Sequence, residues 1–155
     1  MGIDLESLIE QQRASLENPP EVDIPVVLAG QRLTVTVMKA RPDDYQALIE
    51  ECPPRKGVTE DANIGYNQTL LPRQYPVERL RVAGEAVSRE AWANLFSVVD
   101  VAYKTNLHTA MFQLNMMDTL TELQRLGKAE AGQSSNSPAN RESRRAASKG
   151  GSREK

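Results

Sequence analysis

VVLAGQRLTVTVMKA, residues 26–40, is the stretch on which the fold turns. Val26-Val27-Leu28 runs into Ala29-Gly30-Gln31, after which Leu33, Val35 and Val37 alternate with Thr34, Thr36 and Met38. Period-two alternation of β-branched residues makes a strand with one apolar face, and a glycine at the turn supplies positive φ. The reading is a β-hairpin over residues 22–39. A hairpin alone is unstable in water, so it must join a larger sheet or pack on a helix. VERLRV, residues 77–82, is the candidate third strand.

Helical spacing surrounds the hairpin. Residues 4–17 read as a short amphipathic helix with Asp4 as N-cap and Leu5, Leu8, Ile9 and Leu16 on one narrow stripe. Such a helix is marginal alone and needs a surface to lie on, in its own domain or on another subunit. Residues 42–52 form a second helix: Pro42 suits the first turn, Asp43 and Asp44 suit the positive end of the dipole, and Tyr45, Leu48, Ile49 and Cys52 make its apolar side. Residues 53–76, rich in Pro and Gly, read as a long ordered loop with one short helix around Asn67 to Leu71.

Ser88 caps a helix expected to run to Tyr103, with Trp92, Leu95, Phe96, Val99 and Tyr103 in helical register. A second helix is expected from Thr105 or Asn106 to Leu126, lined by Leu107, Ala110, Met111, Leu114, Met117, Leu120, Leu123 and Leu126. Gly127 is its natural stop, and a tight turn would make the two an antiparallel pair. Beyond Gly127 no Leu, Ile, Val, Met or aromatic residue remains, so residues 128–155 read as a disordered basic tail. The fold class is therefore α+β: a small N-terminal β-hairpin or sheet packed with a mainly helical C-terminal part, then the tail. The organisation is 1–20 for the first helix and its linker, 21–127 for the main domain and 128–155 for the tail.

Charge divides the chain at the same place. Residues 128–155 hold seven Lys/Arg and three Glu, a net +4 within a chain of net charge -2, which leaves the body at -6. An acidic body argues against bulk nucleic-acid binding, and a basic tail alone would bind phosphate weakly and with strong salt dependence. One cysteine, Cys52, allows no intramolecular disulfide, which fits a reducing cytosol. No apolar run is long enough for a membrane span. MGIDLESLIEQQR is too acidic for a signal peptide.

The residues for catalysis do not assemble. His108 is the only histidine, and with one distant cysteine neither a metal set nor a Cys-His pair is complete. Asp43-Asp44 and Glu50-Glu51 are explained by helix ends and solvation, while Glu60-Asp61 lies in the loop, where an interaction role is open. Arg73, Arg79 and Arg81 flank Tyr75 in a pattern that could meet a phosphate-bearing strand, against the acidic body. Cys52 falls in line with core positions and reads as a packed thiol. The chain reads as a non-enzyme with no catalytic residues, no cofactor and no metal.

Taken together, the short first helix, VVLAGQRLTVTVMKA, RPDDYQALIEECPP, DANIGYNQTLLPRQ, EAWANLFSVVD and a helix carrying LHTAMFQLNM occur in an order that resembles the tail assembly chaperones of long-tailed, siphovirus-type phages of actinobacteria. The resemblance covers about residues 25 to 126 and rests on scaffold features. It implies a protein of the host cytoplasm that binds the tape measure protein, keeps it soluble and assists tail tube assembly. Tail tube subunits, a frameshifted longer form of the chain and a homo-oligomer are the further partners it raises. Such proteins are typically absent from the finished virion, and Lys149-Gly150-Gly151 is where a slippery run could lie. The alternative is a structural tail or head-tail connector subunit. A small DNA-binding regulator using the Arg-rich tail is a third reading. Methionine adapts to varied partners, and the client-contact candidates are Phe112, Met116 and Met117.

Overall fold

The computed structural model describes residues 2–134, with side-chain burial through Lys128. The chain divides into two compact units, one ending at Met117 and the other beginning at Asp118. The first is α+β. It runs α1 (Leu5–Ser15), β1 (Glu21–Leu28), β2 (Gln31–Met38), α2 (Pro42–Glu51), α3 (Thr59–Ile64), α4 (Leu70–Gln74), a single 3-10 turn (Val77–Arg79), β3 (Leu80–Val82), β4 (Glu85–Ala86), α5 (Arg89–Val98), α6 (Val101–Phe112) and one π-helical turn (Gln113–Met117).

The hairpin forms where its pattern places it and is the start of a four-stranded antiparallel sheet of order β1-β2-β3-β4. Its two loop residues, Ala29 and Gly30, have φ of 50° and 76°, the left-handed pair that matches the twist of the flanking strands. The same dipeptide recurs at Ala83 and Gly84, with φ of 52° and 79°, and closes a second hairpin between β3 and β4. The third strand expected over Val77–Val82 is shortened to Leu80–Val82, because Val77–Arg79 coils into the 3-10 turn after Pro76.

Register sorts the side chains. Val22, Ile24 and Val26 pair with Val37, Val35 and Leu33, and Val35 and Val37 pair in turn with Val82 and Leu80. These residues share one face, and α6 packs across it on β1 and β2. On the other face Thr36 donates its hydroxyl to Asp23 at 2.7 Å. The Lys39 N–H to Pro20 carbonyl bond sets the ladder's parity, so Val22, Ile24, Val26 and Leu28 aim their peptide groups at β2. Glu21, Asp23, Pro25 and Val27 aim theirs at the open edge. Pro25 thus places its missing N–H where no strand needs it.

The core contains Trp92, Phe96, Tyr75, Leu71, Leu107 and Met111 together with Val26, Val35, Val37 and Cys52. Cys52 is buried in the position its helix spacing gives it. Asp4 caps α1 by accepting from the Ser7 N–H, and Ser88 caps α5 by accepting from the Ala91 N–H.

Four further expectations change. The stretch 53–76 is not one loop with a helix at Asn67–Leu71. It contains two short helices, and Asn67 stands before the second, its side-chain oxygen accepting from Thr69 and Leu70. Five-residue α4 packs on α2, α5 and α6. The helix from Ser88 ends at Val98. Val99 and Asp100 are extended, with ψ of 145° and 150°, and Tyr103 belongs to α6. α5 and α6 do not pack along each other as an antiparallel pair. Gly127 does not end the last helix. The second unit's helix, α7, runs Asp118–Ser134 through it. A glycine inside a helix costs only about 1 kcal/mol relative to alanine, which flanking helix formers offset. The rest of the tail, 135–155, lies outside the described residues.

Candidate functional site

Where the first unit ends, a buried polar knot fixes the backbone. Tyr75 is wholly buried and donates its hydroxyl to the Met38 carbonyl at 2.6 Å. Asn115, in the π turn, donates to the Tyr75 hydroxyl at 3.0 Å and to the Met111 carbonyl at 2.8 Å, and accepts from the Ala40 N–H at 3.0 Å. One amide therefore joins the end of β2, the end of α4 and the end of α6. Burial is the main reason that the Tyr75 phenol is pushed up to about 12, and the Asn115 donor partly opposes it.

The π turn sets the exposure of the side chains around it. Its wider coil shifts the register of the residues toward its C-terminal end. The apolar stripe Leu107–Ala110–Met111–Leu114 is buried and stops at Leu114. Met116 and Met117 come out at 38% and 37% exposure. Phe112 is half-buried, its ring stacked on His108 with centroids 6.4 Å apart. Of the three client-contact candidates, the two methionines are open and Phe112 is partly committed to the domain.

Two helices show further apolar surface. No residue of α1 is buried, and Leu5, Leu8 and Ile9 are all exposed. On α7, Leu120, Leu123 and Leu126 are exposed too, although their spacing reads as a core stripe. Among the described residues, no helix is long and apolar enough to cross a membrane.

DANIGYN proves to be a packing device. Asp61 is completely buried and accepts from the Arg55 side chain at 2.8 and 3.1 Å, from the Arg55 N–H at 3.0 Å and from the Gln68 N–H at 3.3 Å. It belongs to α3 and faces inward, so the interaction role left open for it at the surface does not hold. Hydrogen bonds from the Arg55 guanidinium hold its carboxyl well below the usual carboxylate range, against the opposing effect of burial. A depressed folded-state pKa stabilises above the unfolded value, ordinarily 3.8, and the stabilisation drains away as pH falls further. Asp61→Asn is therefore expected to lower stability at neutral pH and to flatten its decline between about pH 4 and pH 2. Parallel acid limbs in urea titrations of the two proteins would contradict this assignment.

Beside it, the Tyr66 hydroxyl and His108 Nε2 lie 2.7 Å apart. Burial lowers the His108 pKa, with Asp61 opposing, and burial raises that of Tyr66, so both are neutral. The carboxylate acting on His108 is that of Asp61. Tyr66 is 2% exposed and cannot reach a substrate. Tyr45 is buried nearby, where its hydroxyl interacts with that of Tyr66. The Cys52 thiol is pushed up by burial and by Glu51, which leaves it a poor nucleophile. Arg79 donates to the Leu16 carbonyl and Arg73 to Ser97, while Tyr75 is interior, so no arginine-and-tyrosine strip faces a nucleic acid.

The sequence reading missed a cleft of about 490 Å³ between α3, α4 and α6, lined by Arg55, Gln68, Arg73, Phe96, Lys104 and His108 among others. Its residues are scattered from 55 to 108, so no local pattern could have revealed it. Among the described residues, no group of three or more His, Cys, Asp or Glu could hold a metal. No protein-family model, no curated protein and no solved structure matches the chain.

Proposed function

We propose that the chain is a binding protein for an apolar helical client, acting as a phage tail assembly chaperone that keeps the tape measure protein soluble in the host cytoplasm. The observation that carries this reading is the outward placement of Met116 and Met117 at the end of a rigid knot. Flexible thioether side chains fit varied apolar helix faces without a fixed register. Leu120, Leu123 and Leu126 on α7 supply more surface of the same chemistry. Exposed large apolar residues at helical spacing are costly to keep without a partner and are usual at interaction sites. The acidic body supports the reading, since like charge keeps the protein itself soluble.

Co-expression with fragments of the tape measure protein is the test. The full chain should keep the fragments in the soluble fraction and co-purify with them. Met116→Glu with Met117→Glu should weaken capture at least tenfold, because both side chains are partly open to water, with the variant's fold checked by circular dichroism and its thermal unfolding measured alongside. A chain that neither solubilises nor retains the fragments ends this reading.

A further inference from the structure

The cleft between α3, α4 and α6 differs in chemistry from the apolar surface used above. Arg55 and Arg73 line it with Lys104, against the single carboxylate of Glu60. Arg55 is already held by Asp61, and Glu60 acts on it as well, so its charge is compensated. Among the described residues, the Arg73 guanidinium is bonded only to a neutral hydroxyl, that of Ser97, and to no carboxylate. The Lys104 ammonium has neither an ion pair nor a hydrogen bond among the described residues. Two uncompensated cations therefore share one concavity on an otherwise acidic body.

Neutral donors stand beside them. Gln68 and Thr69 both line the cleft, and neither side chain makes a hydrogen bond among the described residues. Val58 and Val101 add apolar wall. The volume falls within the range of small-ligand sites, roughly 300–1,000 Å³. Donors on different elements suit a tetrahedral oxyanion, which offers several acceptor oxygens at once. A planar carboxylate offers two.

We propose that this cleft binds a phosphate group, held by Arg73 and Lys104 and oriented by Gln68 and Thr69. The group could be free phosphate or the head of an organic phosphate monoester lying against Val58 and Val101. The proposal does not depend on the client-binding role.

Amide chemical shifts of the full chain, titrated with sodium phosphate and separately with phenyl phosphate at constant ionic strength, test it. Saturable shifts at Thr69, Lys104 and Thr105 are expected, with a dissociation constant of about 1 mM or tighter. Tighter binding of phenyl phosphate assigns an organic monoester, and equal binding assigns the free ion. Lys104→Glu should weaken either ligand at least tenfold without altering thermal unfolding, since the side chain has no partner to lose. Shifts that are linear and spread over the surface, or that persist in Lys104→Glu, overturn the proposal.

Discussion

Trp92→Ala should cost about 3–5 kcal/mol and is expected to be the most damaging single change in the chain. Trp92 is fully buried on α5, with its ring tilted against Phe96 at a centroid distance of 5.1 Å. Its indole N–H donates to the Pro72 carbonyl at 3.0 Å. That bond ties α5 to α4 through the Pro72 carbonyl, which also accepts from the Tyr75 N–H at 3.4 Å. Truncation therefore opens a large cavity and removes the shorter of the two hydrogen bonds to that carbonyl. A domain of this size has a total stability of about 5–15 kcal/mol, so the loss would bring it close to unfolding at room temperature. Trp92→Phe separates the two contributions. It keeps most of the ring and should cost about 1–2 kcal/mol for the lost hydrogen bond and the smaller volume. Urea unfolding monitored by circular dichroism measures both. An alanine variant within 1 kcal/mol of the parent would mean that α5 does not anchor the core as described.

Asn115→Ala comes next, at about 3 kcal/mol. Asparagine at this position satisfies the Ala40 N–H, the Tyr75 hydroxyl and the Met111 carbonyl at once. Alanine leaves these groups short of partners in a region closed to water, since Ala40 and Tyr75 are 2% and 0% exposed. Tyr75→Phe is the milder comparison, because it removes only the hydroxyl shared by Met38 and Asn115. Hydrogen exchange gives a local readout. The Ala40 amide should be protected in the parent and should exchange at least tenfold faster in Asn115→Ala, measured relative to the β2 amides. Unchanged protection at Ala40 would refute the assigned network. The same variant bears on the proposed client site, because Asn115 immediately precedes the two exposed methionines.

How much of this was legible in the sequence depended on whether the deciding interaction was local. The first hairpin was readable because Val-Thr alternation and the turn sit in one window. The second was not, although Ala83-Gly84 repeats Ala29-Gly30, because β4 is two residues long and shows no alternation. The helix boundaries at Val99–Asp100 were missed for a different reason. Trp92, Phe96, Val99 and Tyr103 keep helical spacing across the break, and all four are packed in or against the core, so periodicity alone could not separate one helix from two. The exposure of Leu120, Leu123 and Leu126 was equally hidden, since a stripe reads alike whether its own domain or a partner covers it. The roles of Asp61 and Asn115 depend on partners far along the chain or on local turns without a hydrophobic signature. Composition gives such residues no mark.

Pro25 has a consequence for how copies of this protein could associate. A sheet grows by accepting a new strand along its edge, and among the described residues β1 is the only edge long enough to serve, since β4 at the opposite side has two residues. An incoming strand would find no donor halfway along β1, where the proline ring also stands in its path. Backbone-templated stacking, the route toward fibrils, is thereby blocked at its first step. Association between copies would then proceed through side-chain surfaces.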